Sequence, residues 1–273
     1  MNRRGKSLLV HAALIAGGFL SMFPLFWMVS ASFMTRGEAT SLPPHVLPHA
    51  FTLTHYRELF EHLSIGRAFL SSTIVAVMVT GFSVLLNSMA GYAFAKLRFG
   101  GRDRLFGLLL MGIVIPPQVG MLPLFLFLKK LHLVNTWWGV ALPSFATVFG
   151  IFLIRQFMIS VPQELIEAAR IDGASELRIY WSVVMPLARP ILATLATFMF
   201  MTAWNDFMWP LIVLSDQSRY TLPVALANLS GEHAQDVELM MAGSVVTVIP
   251  VLILFVVLQR YYIAGLMAGS VKG

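Results

Sequence analysis

Residues Ser160 to Pro190 read SVPQELIEAARIDGASELRIYWSVVMPLARP. This stretch decides how the rest of the chain is read, because apolar runs long enough to cross a bilayer flank it on both sides. Its local signals predict two short helices. Ser160 is an N-cap residue, and Gln163, three positions on, completes a capping box. Pro162 fits the first turn, where its missing N–H costs nothing. Glu164 and Glu167 lie near the positive end of the helix dipole. Gly173 offers a left-handed stop, and Ser175 caps a second segment that runs to Pro186. On the first helix Gln163, Glu164, Glu167 and Arg170 share one side, and Leu165, Ala168 and Ala169 the other. Ala168, Ala169 and Gly173 are small enough to admit a second backbone or a partner's side chains. Periodicity alone supports an amphipathic helix lying on a membrane face and nothing sharper.

Outside this stretch the chain is apolar. Of its 273 residues 58% are hydrophobic and 12% charged, against roughly a quarter charged in an ordinary soluble domain. Mean hydropathy is +0.78. Such a composition belongs in a bilayer, and the length has room for roughly six helices of about 20 residues with short connections. The sequence has no cysteine, which excludes disulfides and thiolate metal sites. A net charge of +6 raises the question of nucleic acid. The basic residues, however, stand at the ends of apolar runs instead of on one face, so membrane orientation explains them and no nucleic-acid partner is expected.

Working outward, six spans are predicted, at about residues 7–33, 67–95, 105–128, 137–154, 187–214 and 239–259. They make an all-α polytopic membrane protein with a loop at 160–186 and tails at 1–6 and 263–273. The first run holds Pro24 and ends near an anchoring Trp27; it is too long for the core of a cleaved signal and is read as a span. Residues 36–66 are polar and rich in proline and histidine. His45 and His49 are four apart, but Pro48 between them argues against a helix presenting both to a metal. Pro116, Pro117 and Pro123 interrupt the third run and predict a kink or local unwinding. Residues 215–238 read as a polar loop, and Arg260-Tyr261-Tyr262 marks the exit of the last span.

Lysine and arginine placement sets the orientation. Arg3, Arg4, Lys6, the Lys96 to Arg104 loop, the 160–186 loop and Lys272 fall on one side. The other side holds fewer basic residues, among them Arg36, Arg57, Lys129 and Arg219. The richer side, with both termini, is expected in the cytoplasm.

No catalytic constellation is present: there is no phosphate-binding loop, serine elbow or H-E-x-x-H. Apart from Asp206 the spans are nearly free of ionisable groups, which disfavours a proton- or sodium-coupled carrier. The polar groups expected to face a pathway are Asn87, Ser88, Thr194, Thr197, Thr202, Asn205 and Asp206, and the candidate pathway site is Asn87, Thr202, Trp204, Asn205 and Asp206. Asn205 and Asp206 are adjacent, flanked by Trp204 and Trp209, and Asp206 lies about 24 Å along the axis from Pro190, near the outer end of its span. Aromatic faces beside amides and carboxylates are the parts of a sugar site. The competing reading makes the polar groups helix–helix hydrogen bonds and the aromatic patch an interfacial anchor with a capping Asp.

Glu167-Ala168-Ala169, three residues, Gly173, nine residues, then Val183, Met185 and Pro186 resembles the EAA loop of ABC importer permeases, E-A-A-x3-G-x9-I-x-L-P. Val183 and Met185 replace Ile and Leu, both apolar changes. Gly91 to Ala95 (GYAFA), Leu133 to Thr136 (LVNT), Leu142-Pro143, the Trp204 to Pro210 patch, Thr221 to Val224 (TLPV), Gly265-Leu266 and Gly269 to Gly273 (GSVKG) are similar to the smaller permease of maltose-type carbohydrate importers. The similarity covers nearly the whole chain. It implies the type I ABC importer permease fold, six transmembrane helices with a cytoplasmic EAA coupling loop, in the bacterial inner membrane. It implies a second, homologous permease, two cytoplasmic ABC ATPase subunits and an extracytoplasmic solute-binding protein as partners. Glu167, Ala168, Ala169, Asp172, Gly173 and Pro186 become the ATPase-coupling residues. No cofactor is expected in this chain, ATP and Mg being held by the ATPase partners. The resemblance further implies that residues 215–238 contact the binding protein and that the carboxy-terminal tail reaches the ATPase. The implied function is ATP-driven import of a di- or oligosaccharide. A glycerol phosphate ester is the alternative cargo, and an ion-coupled carrier the alternative class. The charge-derived orientation places the EAA-like loop on the ATPase side by a separate line of reasoning.

Overall fold

Proline and small polar residues decide where the apolar runs break. The computed structural model describes residues 3–43, 45–61, 63–232 and 236–270, and every element among them is helical. The α-helices are α1 (Arg3–Ala31), α2 (Thr54–Glu61), α3 (Ile65–Lys96), α4 (Arg102–Met111), α5 (Pro117–Lys130), α6 (Trp137–Ala141) and α7 (Val148–Ser160). They continue as α8 (Gln163–Ile171), α9 (Glu176–Ile179), α10 (Met185–Leu187), α11 (Arg189–Trp204), α12 (Met208–Val213), α13 (Leu222–Glu232) and α14 (Val237–Ser270). A single π-turn, Tyr180–Val184, joins α9 to α10.

Three stretches are long and apolar enough to cross a membrane as unbroken helix: Val10–Ala31, Ile65–Lys96 and Val237–Val257. Three more pass the same test only as bent pairs. Arg102–Val114 and Pro117–Lys130 meet at 103°, Trp137–Ser144 and Val148–Ser160 at 42°, and Glu176–Leu187 and Arg189–Trp204 at 82°.

The first bend is sharper than the expected kink. Ile115 and Pro116 are both extended (ψ 117° and 129°), and α5 restarts with Pro117 in its first turn. A residue ahead of proline is driven out of the α region, and two successive prolines do this twice. At the second bend Thr147 restarts the helix, its Oγ1 accepting the Gly150 N–H at 3.0 Å. Thr136 caps α6 in the same way through Gly139.

Several expected boundaries move. The helix expected to end near residue 154 runs on to Ser160, so the capping box expected there does not form. Ser160 Oγ instead donates to the Phe157 carbonyl at 2.7 Å, and Pro162 takes the N-cap position of α8 without a side-chain cap. Pro162 is the cause, since it forces Val161 to an extended ψ of 127°. The run expected at 187–214 is divided between α11 and α12. The region expected as a polar loop at 215–238 contains α13, which buries Leu222, Val224 and Leu229. The amino-terminal tail is helical from Arg3, and the backbone of the carboxy-terminal tail is helical as far as Ser270. Residues 1–2 and 271–273 of the tails, including Lys272, lie outside the described residues.

The chain divides into two compact units, Met1–Gly66 with Leu222–Pro250, and Arg67–Thr221 with Val251–Gly273. The first unit is held by charges on the segment after α1. Arg36 donates to Asp236 at 2.5 Å and to Glu58 at 2.8 Å, and the buried Glu238 accepts the Ala39 N–H at 2.7 Å. The Asp236 hydrogen bond and charge hold the Arg36 guanidinium more firmly protonated. The second unit is built on a core that includes Val75, Leu128, Ile154, Met158, Ile166, Ile179 and Leu195. Its helices touch where side chains vanish. A Cβ on Gly91 of α3 would lie 2.6 Å from Ile154 of α7, and one on Gly150 of α7 would lie 2.7 Å from Asn87 of α3. Small residues that let backbones approach are how helices associate where lipid competes with any apolar surface. Large side chains such as Leu14, Phe19, Val77 and Leu122 are left more than half exposed. So much outward apolar surface belongs against lipid or another chain.

Candidate functional site

The stretch from Val161 to Ala188 is a short helix, a glycine turn and a second helix that widens into the π-turn. α8 ends in a complete Schellman motif: the Ala174 N–H bonds the Ala169 carbonyl and the Gly173 N–H the Arg170 carbonyl, each at 3.0 Å. Gly173 sits at φ +77°, which L side chains rarely adopt, and nothing lies within 4 Å of where a Cβ would be. The expected left-handed stop is therefore there, and the space beside it is open. Ser175 caps α9, its Oγ accepting the Arg178 N–H at 3.4 Å. Pro186 follows the π-turn. Its ring displaces the carbonyl four residues back and it offers no N–H, so the backbone ahead of it winds wider.

The buried face of α8 is not the one expected. Ile166 is fully buried with Gln163 and Ala169 half-buried beside it, while Leu165 is 44% exposed. Glu167, Ala168, Asp172 and Gly173 are exposed, and so is Pro186. Two apolar side chains are exposed on this stretch as well: Ile171 is 87% exposed and Leu177 61%.

Side chains from α3 hold this stretch from behind. Lys96 Nζ donates to the Val161 carbonyl at 2.6 Å, Tyr92 OH donates to Glu176 Oε2 at 3.0 Å, and Ser88 Oγ and Tyr180 OH share a hydrogen bond of 2.7 Å. Glu176 also accepts from Arg170 at 2.6 Å, which ties α8 to α9. Sequence reasoning missed this set as a set. The available signal was Ser88, Tyr92 and Lys96 at four-residue spacing, a polar stripe on an otherwise apolar helix.

The candidate pathway residues fall into two places. Thr202, Trp204, Asn205 and Asp206 meet where α11 ends and α12 begins. Trp204 is buried, stacked on Phe200 at 5.7 Å and edge-on to Phe69 at 5.6 Å. Asn205 is the exposed C-cap of α11 and donates to the Met201 carbonyl at 2.8 Å, while the exposed Thr202 hydroxyl donates to Phe198 O at 2.8 Å. Asp206 is half-buried and its Oδ1 accepts the Trp209 N–H at 3.4 Å, as a capping residue would. Asn87 belongs elsewhere. It is fully buried and bonded to Thr147 and Ser83.

On the same unit Asn135, in a left-handed conformation (φ +58°), organises the turn after α12. Its Oδ1 accepts from the Ser215 and Asp216 N–H groups at 3.1 Å each, and Arg219 donates to its carbonyl. Among the described residues no group of His, Asp and Glu is placed to hold a metal ion.

Residues 87–266 match the family model for the binding-protein-dependent transport system inner membrane component. The chain is 37% identical over 258 residues to the arabinooligosaccharides transport system permease protein AraQ of Halalkalibacterium halodurans, covering 93% of this chain and 92% of that one. It is 33% identical to the diacetylchitobiose uptake system permease protein NgcG of Streptomyces coelicolor, over 96% of this chain and 88% of that one. It is 30% identical to the sn-glycerol-3-phosphate transport system permease protein UgpE of Pectobacterium atrosepticum, over 97% and 98%. The fold is that of a chain in a bacterial ABC transporter involved in the import of the acidic polysaccharide alginate. The TM-score is 0.84 at 24% identity, covering 96% of this chain and 99% of that one.

Proposed function

The chain belongs to the family of binding-protein-dependent transport system inner membrane components, and on that footing we propose that it carries an oligosaccharide across the inner membrane as one permease of an ABC importer. The cargo class rests on relatives named for arabinooligosaccharides and diacetylchitobiose. In this reading the three long helices and three bent pairs are six spans, with both termini and the 160–186 loop in the cytoplasm. ATP is hydrolysed on partner ATPase subunits, with a second permease completing the pathway and a solute-binding protein delivering the sugar.

The observation that carries the coupling reading is the outward face of residues 167–177. Glu167, Ala168, Asp172 and Gly173 are exposed there beside Ile171 and Leu177, the space at Gly173 is open, and the Schellman turn makes the surface rigid. Apolar side chains exposed on a rigid, capped helix pair suit insertion into a partner's cleft. The loop joins α11 at Ala188, two residues after Pro186, through a bend of 82°. On the opposite side Thr202, Asn205 and Asp206 line the sugar's route, and Trp204 and Asn87, both buried within the chain, shape it from behind. The turn at 215–219, held by Asn135, receives the binding protein.

A glycerol phosphate ester is the second reading, favoured by the relative named for sn-glycerol-3-phosphate. A phosphate calls for cations along its route, and Thr202, Asn205 and Asp206 supply none. The test is mass spectrometry of what co-purifies with the tagged chain from mild detergent, followed by uptake assays in proteoliposomes. An ATPase and a second permease in fixed ratio, with ATP-dependent uptake of an oligosaccharide, is the expected result. The chain alone, still transporting solute in liposomes, overturns it.

A further inference from the structure

The polar stripe on α3 is expensive as mere packing. Ser88, Tyr92 and Lys96 are 0%, 4% and 8% exposed, each on the same face of an apolar helix, and each bonded to a different piece of the Val161–Tyr180 stretch. Burying a hydroxyl or an ammonium costs free energy unless its bonds are made, and apolar residues of similar size would pack as well. Their partners are spaced along the coupling stretch: Val161 in the link before α8, Glu176 at the start of α9, Tyr180 at the start of the π-turn. The middle rung continues outward, because Glu176 is shared between Tyr92 and Arg170 of α8. A continuous line of bonds thus runs from α8 through Arg170, Glu176 and Tyr92 into α3. One residue earlier on α3, Gly91 lies against α7 at Ile154 and Arg155.

We propose that Ser88, Tyr92 and Lys96 are positioning residues that pass displacement of the coupling helices into α3, and that the Tyr92–Glu176 rung carries most of it. The proposal rests on the coupling reading of residues 160–186. The π-turn fits this role, since its wider winding gives the segment after Tyr180 room to adjust while the rungs hold what precedes it.

The experiment uses the complete complex of this chain with its second permease, ATPase subunits and binding protein in proteoliposomes. It reads sugar taken up per ATP hydrolysed. Tyr92→Phe removes one hydroxyl and keeps the ring, and it is expected to lower that ratio about five-fold, the weight of one hydrogen bond in a coupling equilibrium. Lys96→Met is expected to lower it as well, with Lys96→Arg restoring part of the loss. Glu176→Ala combined with Tyr92→Phe is expected to be no worse than Glu176→Ala alone, because Glu176→Ala already removes the acceptor of the Tyr92 hydroxyl. An unchanged ratio in Tyr92→Phe, or uptake and hydrolysis falling in equal proportion, overturns the proposal. Gly173→Asp run in parallel separates the two failures. If it blocks uptake while Tyr92→Phe is silent, only the rungs are wrong; if it too is silent, the coupling reading falls and the rungs with it.

Discussion

Asn87 of α3 secures the start of α7: its Oδ1 accepts the Thr147 backbone N–H at 2.9 Å while its Nδ2 donates to the Ser83 carbonyl at 2.7 Å. The amide closes the bend between α6 and α7, where the Thr147 N–H has no intrahelical partner. Asn87→Ala should leave that part-buried N–H without its partner, at a cost of about 1 kcal/mol. A lowered melting temperature in detergent, with the chain still reaching the membrane, is the expected outcome. An unchanged melting temperature would show that the bend holds itself.

Gly91 and Gly81 lie on the same helix and should respond oppositely to one methyl group. A Cβ at Gly91 would stand 2.6 Å from Ile154 Cγ2 and 3.0 Å from the Arg155 backbone N, whereas nothing lies within 4 Å at Gly81. Gly91→Ala is expected to lose about 1–3 kcal/mol through overpacking. Gly81→Ala is expected to be neutral or to gain about 0.5–1 kcal/mol by stiffening the helix. Thermal melts of the two purified variants decide it.

At Gly173 the fold and the partner can be told apart. The left-handed backbone at φ +77° makes Gly173→Ala cost about 1–2 kcal/mol, and Asn, which tolerates that conformation, should cost less. Among the described residues nothing lies within 4 Å of a Cβ placed there. Gly173→Asp should therefore insert normally and, on the proposed coupling role, abolish uptake by obstructing a partner. Membrane levels by immunoblot alongside sugar uptake make the comparison, and wild-type transport by Gly173→Asp would remove the coupling role.

Glu38 should make the segment after α1 sensitive to acid. Hydrogen bonds from the His49 and Thr35 backbone N–H groups lower its pKa from 4.5 to about 2. A pKa depressed by folding means stability fully present above the unfolded value of 4.5 and lost as pH falls towards 2. Amide hydrogen exchange across residues 35–49 should be constant from neutral pH to about 4.5. Protection should then fall as the medium is acidified further, and Glu38→Gln should flatten that profile. A wild-type profile that is flat down to pH 2 would refute the assignment.

The parts of this molecule legible in its sequence are those with local causes. Pro116 and Pro117, Pro162, Gly173 and Ser175 act on backbone angles within a residue or two of themselves, and breaks, a left-handed turn and a cap stand at those places. Even so, Ser160 does not cap α8, because the proline that stops α7 also removes the serine from the start of α8. The spacing of Glu167, Ala168, Ala169 and Gly173 pointed to a family that the relatives confirm.

By itself, then, the sequence determined that this is an apolar helical chain, that its runs break at Pro116–Pro117 and at Pro162, that a left-handed turn stands at Gly173, and, through its motif spacing, that it resembles the ABC permease family. The helical character, the breaks and the turn follow from composition or from constraints that act along the backbone, and the family follows from the resemblance of the motif spacing. Tertiary structure alone decided the rest. It turned Ile166, not Leu165, into the core, bonded Asn87 to Thr147 instead of leaving it open, and joined Ser88, Tyr92 and Lys96 to three points on the Val161–Tyr180 stretch. Those pairings join residues far apart in the chain, and which helix faces meet depends on packing that no local period encodes.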